Sequence, residues 1–573
     1  MTGGLLADGL VIFAYFAVVL SIGLYKGRGS KSIESFAVGD RSIPWWAVLA
    51  SILAAEISAA TFLGAPGEGY AERNFAYAQL AIGTILARFL IAYIFIKPYY
   101  DFRVVSIYEY LFIRFGRRTK DAASAVFLVT RVLASGTRLY VAAIVLVLGY
   151  EYVAGVELAP LQQVPIYIGA LIVVTAFTAI YTALGGIKAV VWTDLIQVVV
   201  MFGALGFAIW SILSHIPDGL SEVFASAHKV VIDPVLVARE GQAAAQASAE
   251  KLAHHALQFY DSGITPGLSL WQNVRSILES EYTIWAALIG STFTTLATHG
   301  TDQDMVQRML TAKNHTKSRL SLILSGLADL PLVLCFLFVG LLLWSYYKQP
   351  GMTAPFAHYI VYEMPPGVRG LLVAGLFATA MGSLSTALNA LATSFVEDWY
   401  RPYLHREASP AHIVRAARRA TVVFSILLVI VGGVTAYAVI VLHARIIPVV
   451  LGIFGYTYGS LLGVFLVGLL TRGRGSERGN LIAMVCGFVV VALLSGLHND
   501  LWALLHPATP DVILWKPEWL PKIEFPWRVA FGSVVTFLVA LGFRTPEEQI
   551  LTAAAKRRAG AEVGANLAVA RKP

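Results

Sequence analysis

The sequence predicts an all-α integral membrane protein with about thirteen transmembrane helices, because roughly 20 apolar residues carry a helix across a bilayer and such stretches recur along the whole chain. Composition agrees: 57% of the 573 residues are hydrophobic, only 14% are charged, and the mean hydropathy is +0.69, whereas soluble domains carry roughly 25% charged residues. The basic residues also cluster in alternate short loops, a pattern that reports membrane topology. The formal net charge of +8 therefore argues for no nucleic-acid partner.

The apolar stretches lie near residues 9–25, 43–70, 75–99, 120–149, 164–183, 188–213, 282–300, 318–346, 367–397, 412–440, 444–470, 479–497 and 526–543. The first is followed by Lys26, Arg28 and Lys31, so it does not read as a cleavable signal, whose positive charges precede the apolar run. The second, IPWWAVLASILAAEISAATFLGAPGEGY, breaks the pattern with Glu56, several hydroxyls and Pro66 between glycines. A charge at mid-membrane costs at least ~2.5–3.5 kcal/mol, so Glu56 calls for a function, or for a partner that makes it interhelical glue. Arg114, Arg117, Arg118 and Lys120 follow the third stretch, and Lys313, Lys317 and Arg319 follow the seventh. Arg401, Arg406, Arg415, Arg418 and Arg419 follow the ninth, and Arg472, Arg474 and Arg478 the eleventh. By the positive-inside rule the N-terminus is outside and the C-terminus cytoplasmic, as in a multi-pass protein of the plasma (inner) membrane. Segment 214–281 is then the one large external loop, with a surface helix in GQAAAQASAEKLAHHALQ. His254 and His255 are adjacent and face different sides of such a helix, so they make no metal pair. Cys335 and Cys486 lie in apolar stretches and offer neither a disulfide framework nor a metal spacing.

No HExxH, GxSxG or Walker signature is present. What remains is a set of polar groups at membrane depth: Glu56, Ser58, Thr61, Arg88, Arg131, Arg138, Asp194, His299, Asp302, Asp304, Asp329 and the run TAMGSLSTALN at 379–389. Such groups face a bundle interior or a wet cavity. A hard cation takes several oxygen ligands, and a broken helix supplies them by freeing backbone carbonyls. AAEIS at 54–58, together with Ser383, Ser385 and Thr386, could form such a cage, although small residues with serine also serve plain helix packing. Arg131 and Arg138 stand one turn either side of Ala134 on one helical face. Guanidinium groups there can hold a carboxylate, or they neutralise Glu56 or reach for an interface.

FAVGDRSIPWWAVLASILAAEISAATFLGAPGEGY (36–70), GGIKAVVWTDLIQ (185–197), TDQDMVQRMLTAK (301–313) and GSLSTALNALATSFVEDWY (382–400) resemble the sodium:solute symporter family, which includes sodium/sugar, proline, sialic acid and monocarboxylate carriers. The resemblance runs from residue 9 to about 470, in order and at family-like spacing. It implies an inverted five-helix repeat of the amino-acid-transporter type, with broken helices 2 and 7. The chain then divides into a first helix and loop (1–35), repeat 1 (36–213, helices 2–6), the external loop (214–281), repeat 2 (282–470, helices 7–11), outer helices (471–543) and a tail (544–573).

The resemblance further implies a main sodium site using the carbonyls of Ala54, Ile57 and Thr379 and the hydroxyl of Ser383. Gly382 stands where many members carry a second hydroxyl, with a water or Glu56 left to supply the oxygen. A second sodium site would use Asp194, Ser385 and Thr386. Where sugar carriers place amide, carboxylate or lysine side chains, this chain has Thr61, Leu80, Ala134, Thr295 and Asp329, and Thr298 replaces an inner tyrosine gate. The expected function is sodium-coupled import of a small organic solute by alternating access, with a carboxylate-bearing or zwitterionic solute contacting Glu56, Thr61, Arg138, Thr295, Thr298 and Asp329. A neutral solute or proton coupling through Glu56 is the alternative, and a membrane-embedded hydrolase or a sensor the remote one. The protein is expected to act as a monomer or weak oligomer in lipid. One sodium ion falling through ~100 mV and a tenfold gradient supplies ~3.7 kcal/mol, enough for about a 500-fold solute gradient.

Overall fold

The computed structural model describes residues 2–28, 31–352, 354–441, 446–506, 514–515, 517, 520–521 and 523–570. Among them all regular structure is helical, and β pairing is limited to two isolated bridges. We number the principal helices α1 (Thr2–Lys26), α2 (Trp45–Glu56), α3 (Ala59–Glu72), α4 (Leu80–Ile94), α5 (Arg117–Ala154), α6 (Pro160–Ser214), α7 (Thr292–Gly300) and α8 (Gln303–Met309). They continue as α9 (His315–Tyr347), α10 (Val368–Ser394), α11 (Pro410–Ile440), α12 (Ile446–Leu470), α13 (Glu477–Leu494), α14 (Phe525–Leu541) and α15 (Glu547–Ala570). Among the described residues eight helices are long and apolar enough to cross a membrane, or nine if the bent pair α2–α3 is one span; Phe454–Leu470 and Phe525–Leu541 are shorter apolar helices.

The apolar stretches read from the sequence coincide with helices, with two differences. Residues 164–183 and 188–213 form the two arms of α6, divided between them by a sharp turn at Gly186 (φ 58°, ψ −154°). That conformation belongs to glycine alone, and a Cβ there would stand 2.5 Å from the Phe36 carbonyl oxygen. The stretch 282–300 opens with a π-helical turn, Ala286–Ser291, before α7. Residues 444 and 445 of the eleventh stretch lie outside the described residues.

α10 is the axis of the bundle: 89% of its most apolar window is buried inside the protein, against 22% for α1. Burial of that degree suits a helix of alternating Ala, Gly and Ser, whose small side chains let neighbours approach. Its start is fixed by Asp8 of α1, which accepts from the Gly367 and Gly370 N–H groups at 2.7 and 2.9 Å and from Arg369 Nε at 2.7 Å. A carboxylate at a helix N-terminus is stabilised by its free N–H groups and dipole. Segment 214–281 carries four helices, including the one expected, at Gln242–His254. It is pinned to the bundle by Arg73, whose Nη1 donates to the Ala227 and Lys229 carbonyls at 3.3 and 2.7 Å.

Candidate functional site

α2 and α3 meet at an angle of 63°. Ile57 leaves helical geometry (ψ 89°), and Ser58 is extended, its Oγ capping α3 by accepting the Thr61 N–H at 3.3 Å. Pro66 lies inside α3, which continues to Glu72, so the break belongs to AAEIS and not to the proline. The break changes where the carbonyls point. The Ser58 N–H, which a continuing helix would direct to Ala54, donates to Glu56 O at 3.0 Å. The Ala55 carbonyl instead receives the Ser383 hydroxyl of α10 at 3.2 Å. Gly382 stands so close that a Cβ on it would lie 3.0 Å from both the Ala54 carbonyl oxygen and Gln197 Oε1. Among the described residues both amide atoms of Gln197 are buried with no hydrogen bond of good geometry, beside the Tyr15 and Tyr181 hydroxyls. This gives a small, oxygen-lined niche between a broken helix and an unbroken one, with donors suited to an alkali cation. Thr379 sits one turn before Ser383, its hydroxyl turned back to the Leu376 carbonyl at 2.7 Å, which leaves its carbonyl as its remaining contribution.

Glu56 points away from this niche. It pairs with Arg88 of α4, and His299 Nε2 lies 2.5 Å from its Oε1. Arg88 also donates to Ser325 Oγ of α9 at 2.9 Å. Neither Arg131 nor Arg138 neutralises Glu56; Arg88 does. Of this cluster Glu56 lines a cavity of about 250 Å³ that also touches Thr61, Thr84, Ser291, Thr295 and Asp329. Asp329 has no ion-pair partner among the described residues. Thr298 does not line this cavity: its hydroxyl bonds the Thr294 carbonyl and lies 3.0 Å from His299 Nδ1, orienting the ring toward Glu56.

On the other side of the break a second, smaller cavity, about 40 Å³, is lined by Ala55, Ser58, Arg131, Arg138, Asp304 and Ser383 among others. Arg131 is spent on Asp302 and on Asp304 at 3.1 Å. Arg138 has no carboxylate partner among the described residues and rests over the Phe454 ring, 5.0 Å from its centroid. The chain breaks again at Thr301–Asp302, where Asp302 caps α8 through the Asp304 N–H at 2.9 Å. This break falls just past the end of the seventh apolar stretch, between α7 and α8.

Asp194 accepts from Ser51 Oγ at 2.5 Å, and Arg308 Nη2 lies 3.5 Å from both Asp194 Oδ2 and the Gly382 carbonyl. Ser385 and Thr386 donate to that same carbonyl, each at 3.1 Å. A guanidinium thus stands between Asp194 and the α10 hydroxyls. The sequence reading missed the part played by Arg88, His299, Gln197 and Arg308. All four could be seen as polar residues in apolar surroundings, but nothing in a linear sequence says which face one another.

The comparisons with known proteins follow the same line. A sequence model described as the sodium:solute symporter family matches residues 36–487. The sodium-coupled monocarboxylate transporter 1 of Homo sapiens is 27% identical over 516 residues, covering 87% of this chain and 74% of that protein. The sodium/sialic acid symporter NanT of Aliivibrio fischeri is 27% identical over 493 residues, 84% of this chain and 86% of that protein. A solved substrate-bound, outward-open structure of a Na+-coupled sialic acid symporter shares the fold, with a TM-score of 0.72 over 93% of this chain and 96% of that one at 22% identity.

Proposed function

Since the chain belongs to the sodium:solute symporter family, we propose that it is a sodium-coupled secondary active symporter that imports a small carboxylate-bearing or zwitterionic solute. The observation that carries this reading is the apposition of the α2–α3 break to Gly382 and Ser383. There a sodium ion can exchange part of its hydration for the carbonyls of Ala54, Ile57 and Thr379 and the hydroxyl of Ser383. The gap at Gly382 is filled from Gln197 or by water, and Glu56, turned toward Arg88, is not the replacement. At the second site Arg308 already supplies a positive charge to Asp194. Sodium at Asp194, Ser385 and Thr386 would require that guanidinium to move, so we assign one sodium per cycle.

The solute lies beside the break, where one event can sense both cargoes. The cavity holding Thr61, Thr295 and Asp329 has the room for a small molecule, and its unpaired carboxylate suits an ammonium group. Arg138, unpaired across the break, suits a carboxylate. A zwitterion answers both, and a monocarboxylate answers Arg138 alone. Thirteen spans with repeats over helices 2–6 and 7–11, N-terminus outside and C-terminus cytoplasmic in the plasma membrane, would let one repeat rock against the other around these midplane sites.

Purified full-length protein in sealed liposomes tests the reading. Uptake of amino acids, monocarboxylates and sugars is measured with sodium, potassium or a proton gradient. Sodium-dependent accumulation of a carboxylate or zwitterion, lost in Arg138→Ala while the melting temperature stays within a few degrees, is the expected result. Accumulation driven by protons without sodium would overturn the coupling. Carboxylate uptake undiminished in Arg138→Ala would overturn the solute assignment.

A further inference from the structure

Away from both cavities, a crevice of about 680 Å³ opens between the first half of α11, α5 and the turn that follows α10. Its inner surface is apolar, formed by Leu128 of α5, Phe395, and Val423, Phe424 and Leu427 of α11. Its rim is basic. Arg415 and Arg419 stand one helical turn apart on one face, with His412 one turn earlier held 2.8 Å from the Tyr400 hydroxyl. No carboxylate lines the crevice, and among the described residues neither arginine has an acidic partner; Arg415 Nε reaches only the Ala411 carbonyl, at 3.4 Å. Below the rim, Val422, Val423, Ile426 and Ile430 are exposed in a stripe along α11, as a lipid-facing surface requires. The rim lies at the end of α11 that the basic loops assign to the cytoplasm.

We propose that this crevice binds one anionic phospholipid, an acyl chain lying in the apolar groove and the headgroup phosphate bridging Arg415 and Arg419. Charge and depth each select the occupant. Two uncompensated guanidiniums recognise phosphate by paired N–H donors, which a zwitterionic headgroup answers only in part. The apolar interior gives an acyl chain a place that free phosphate cannot use. Basic pockets between helices on the cytoplasmic side are where anionic headgroups dock. α11 packs on both α5 and α6, so an occupied crevice ties the chain after α10 to the helix bearing Arg131 and Arg138. The proposal does not depend on which solute is carried.

The test uses the full-length protein stripped of lipid in detergent and titrated with phosphatidylglycerol, phosphatidylcholine of the same acyl chains, or inorganic phosphate. Binding is read by native mass spectrometry and by melting temperature. With about a fivefold gain for each arginine near an anionic headgroup, phosphatidylglycerol should bind about twenty-five-fold more tightly than phosphatidylcholine. The double variant Arg415→Gln/Arg419→Gln should bring the two lipids level while keeping its sodium-dependent stabilisation. The double reversal Arg415→Glu/Arg419→Glu should put phosphatidylglycerol below phosphatidylcholine. Equal binding of both lipids by the unmodified protein, an undiminished preference in the double variant, or inorganic phosphate alone giving the whole shift would each overturn the proposal.

Discussion

The break between α2 and α3 and the break between α7 and α8 are finished differently. At Thr301–Asp302 the freed carbonyls and the capping carboxylate take protein partners. Tyr99 Oη donates to the Gly300 carbonyl at 2.6 Å and Tyr108 Oη to Thr301 O at 3.4 Å. Asp302 takes the Asp304 N–H, the Tyr458 hydroxyl at 2.5 Å and Arg131. At Ile57–Ser58 the neighbour of the freed Ala54 carbonyl is a glycine, and the nearby Gln197 amide makes no well-formed hydrogen bond among the described residues. An unwound helix is therefore not a binding site in itself. At the proposed sodium niche the Ala54 carbonyl faces a glycine while Ala55 alone receives a side-chain hydroxyl, from Ser383; at the structural joint both freed carbonyls receive tyrosine hydroxyls.

The sharpest way to break this comparison is at the closed joint. Arg131→Met removes the cation shared by Asp302 and Asp304, both buried. Stranding buried charge costs about 3–5 kcal/mol, so a marked fall in denaturation midpoint is expected. Stability equal to the unmodified protein would mean that Tyr458 and the cap suffice to hold the joint. At the open break the effect should appear in ligand response. Sodium at a hundredfold excess over its dissociation constant should stabilise the protein by about 2.7 kcal/mol. Gly382→Val pushes a branched side chain into the gap beside Ala54 O and should abolish that increment, with melting in potassium shifted far less. A retained sodium response would place the ion elsewhere.

How much of this was legible beforehand divides along the same line. Glu56 and Ser58 of AAEIS mark the open break because a charge and a hydroxyl at membrane depth call for a partner or a function, and Glu56 finds its partner in Arg88. The 3.6-residue rhythm and the length of apolar runs gave the helices, including α10 as a small-residue packing surface. What could not be read was pairing between helices. Glu56 and Arg88 are 32 residues apart on different helices, and either of the arginines of α5 was as good a partner on paper. The division of α6 was legible as a gap between two apolar stretches, but that a single glycine at φ 58° makes the turn without any polar loop was not. Thr298 sits among cavity residues in sequence, yet the helix turns its hydroxyl to His299.

A milder substitution measures one ligand. Ser383→Ala removes the hydroxyl beside Ala55 O and keeps the backbone. One hydrogen-bonding oxygen is worth about 1 kcal/mol, so apparent sodium affinity should fall roughly five- to tenfold, read from sodium-dependent melting. An unchanged affinity would show that the niche draws on carbonyls alone.

The smallest effect separates shape from coordination at the break itself. Ser58 caps α3 through the Thr61 N–H, and replacing a serine cap by alanine costs about 1 kcal/mol, by glycine only a few tenths. If Ser58 serves only to start α3, Ser58→Ala should lower the melting temperature slightly, Ser58→Gly should lower it less, and sodium affinity should stay within about twofold in both. A larger loss of affinity in both variants would mean that the hydroxyl reaches the cargo. The open break would then owe its selectivity to a side chain as well as to the main chain, and the contrast with the closed joint at Asp302 would be one of degree.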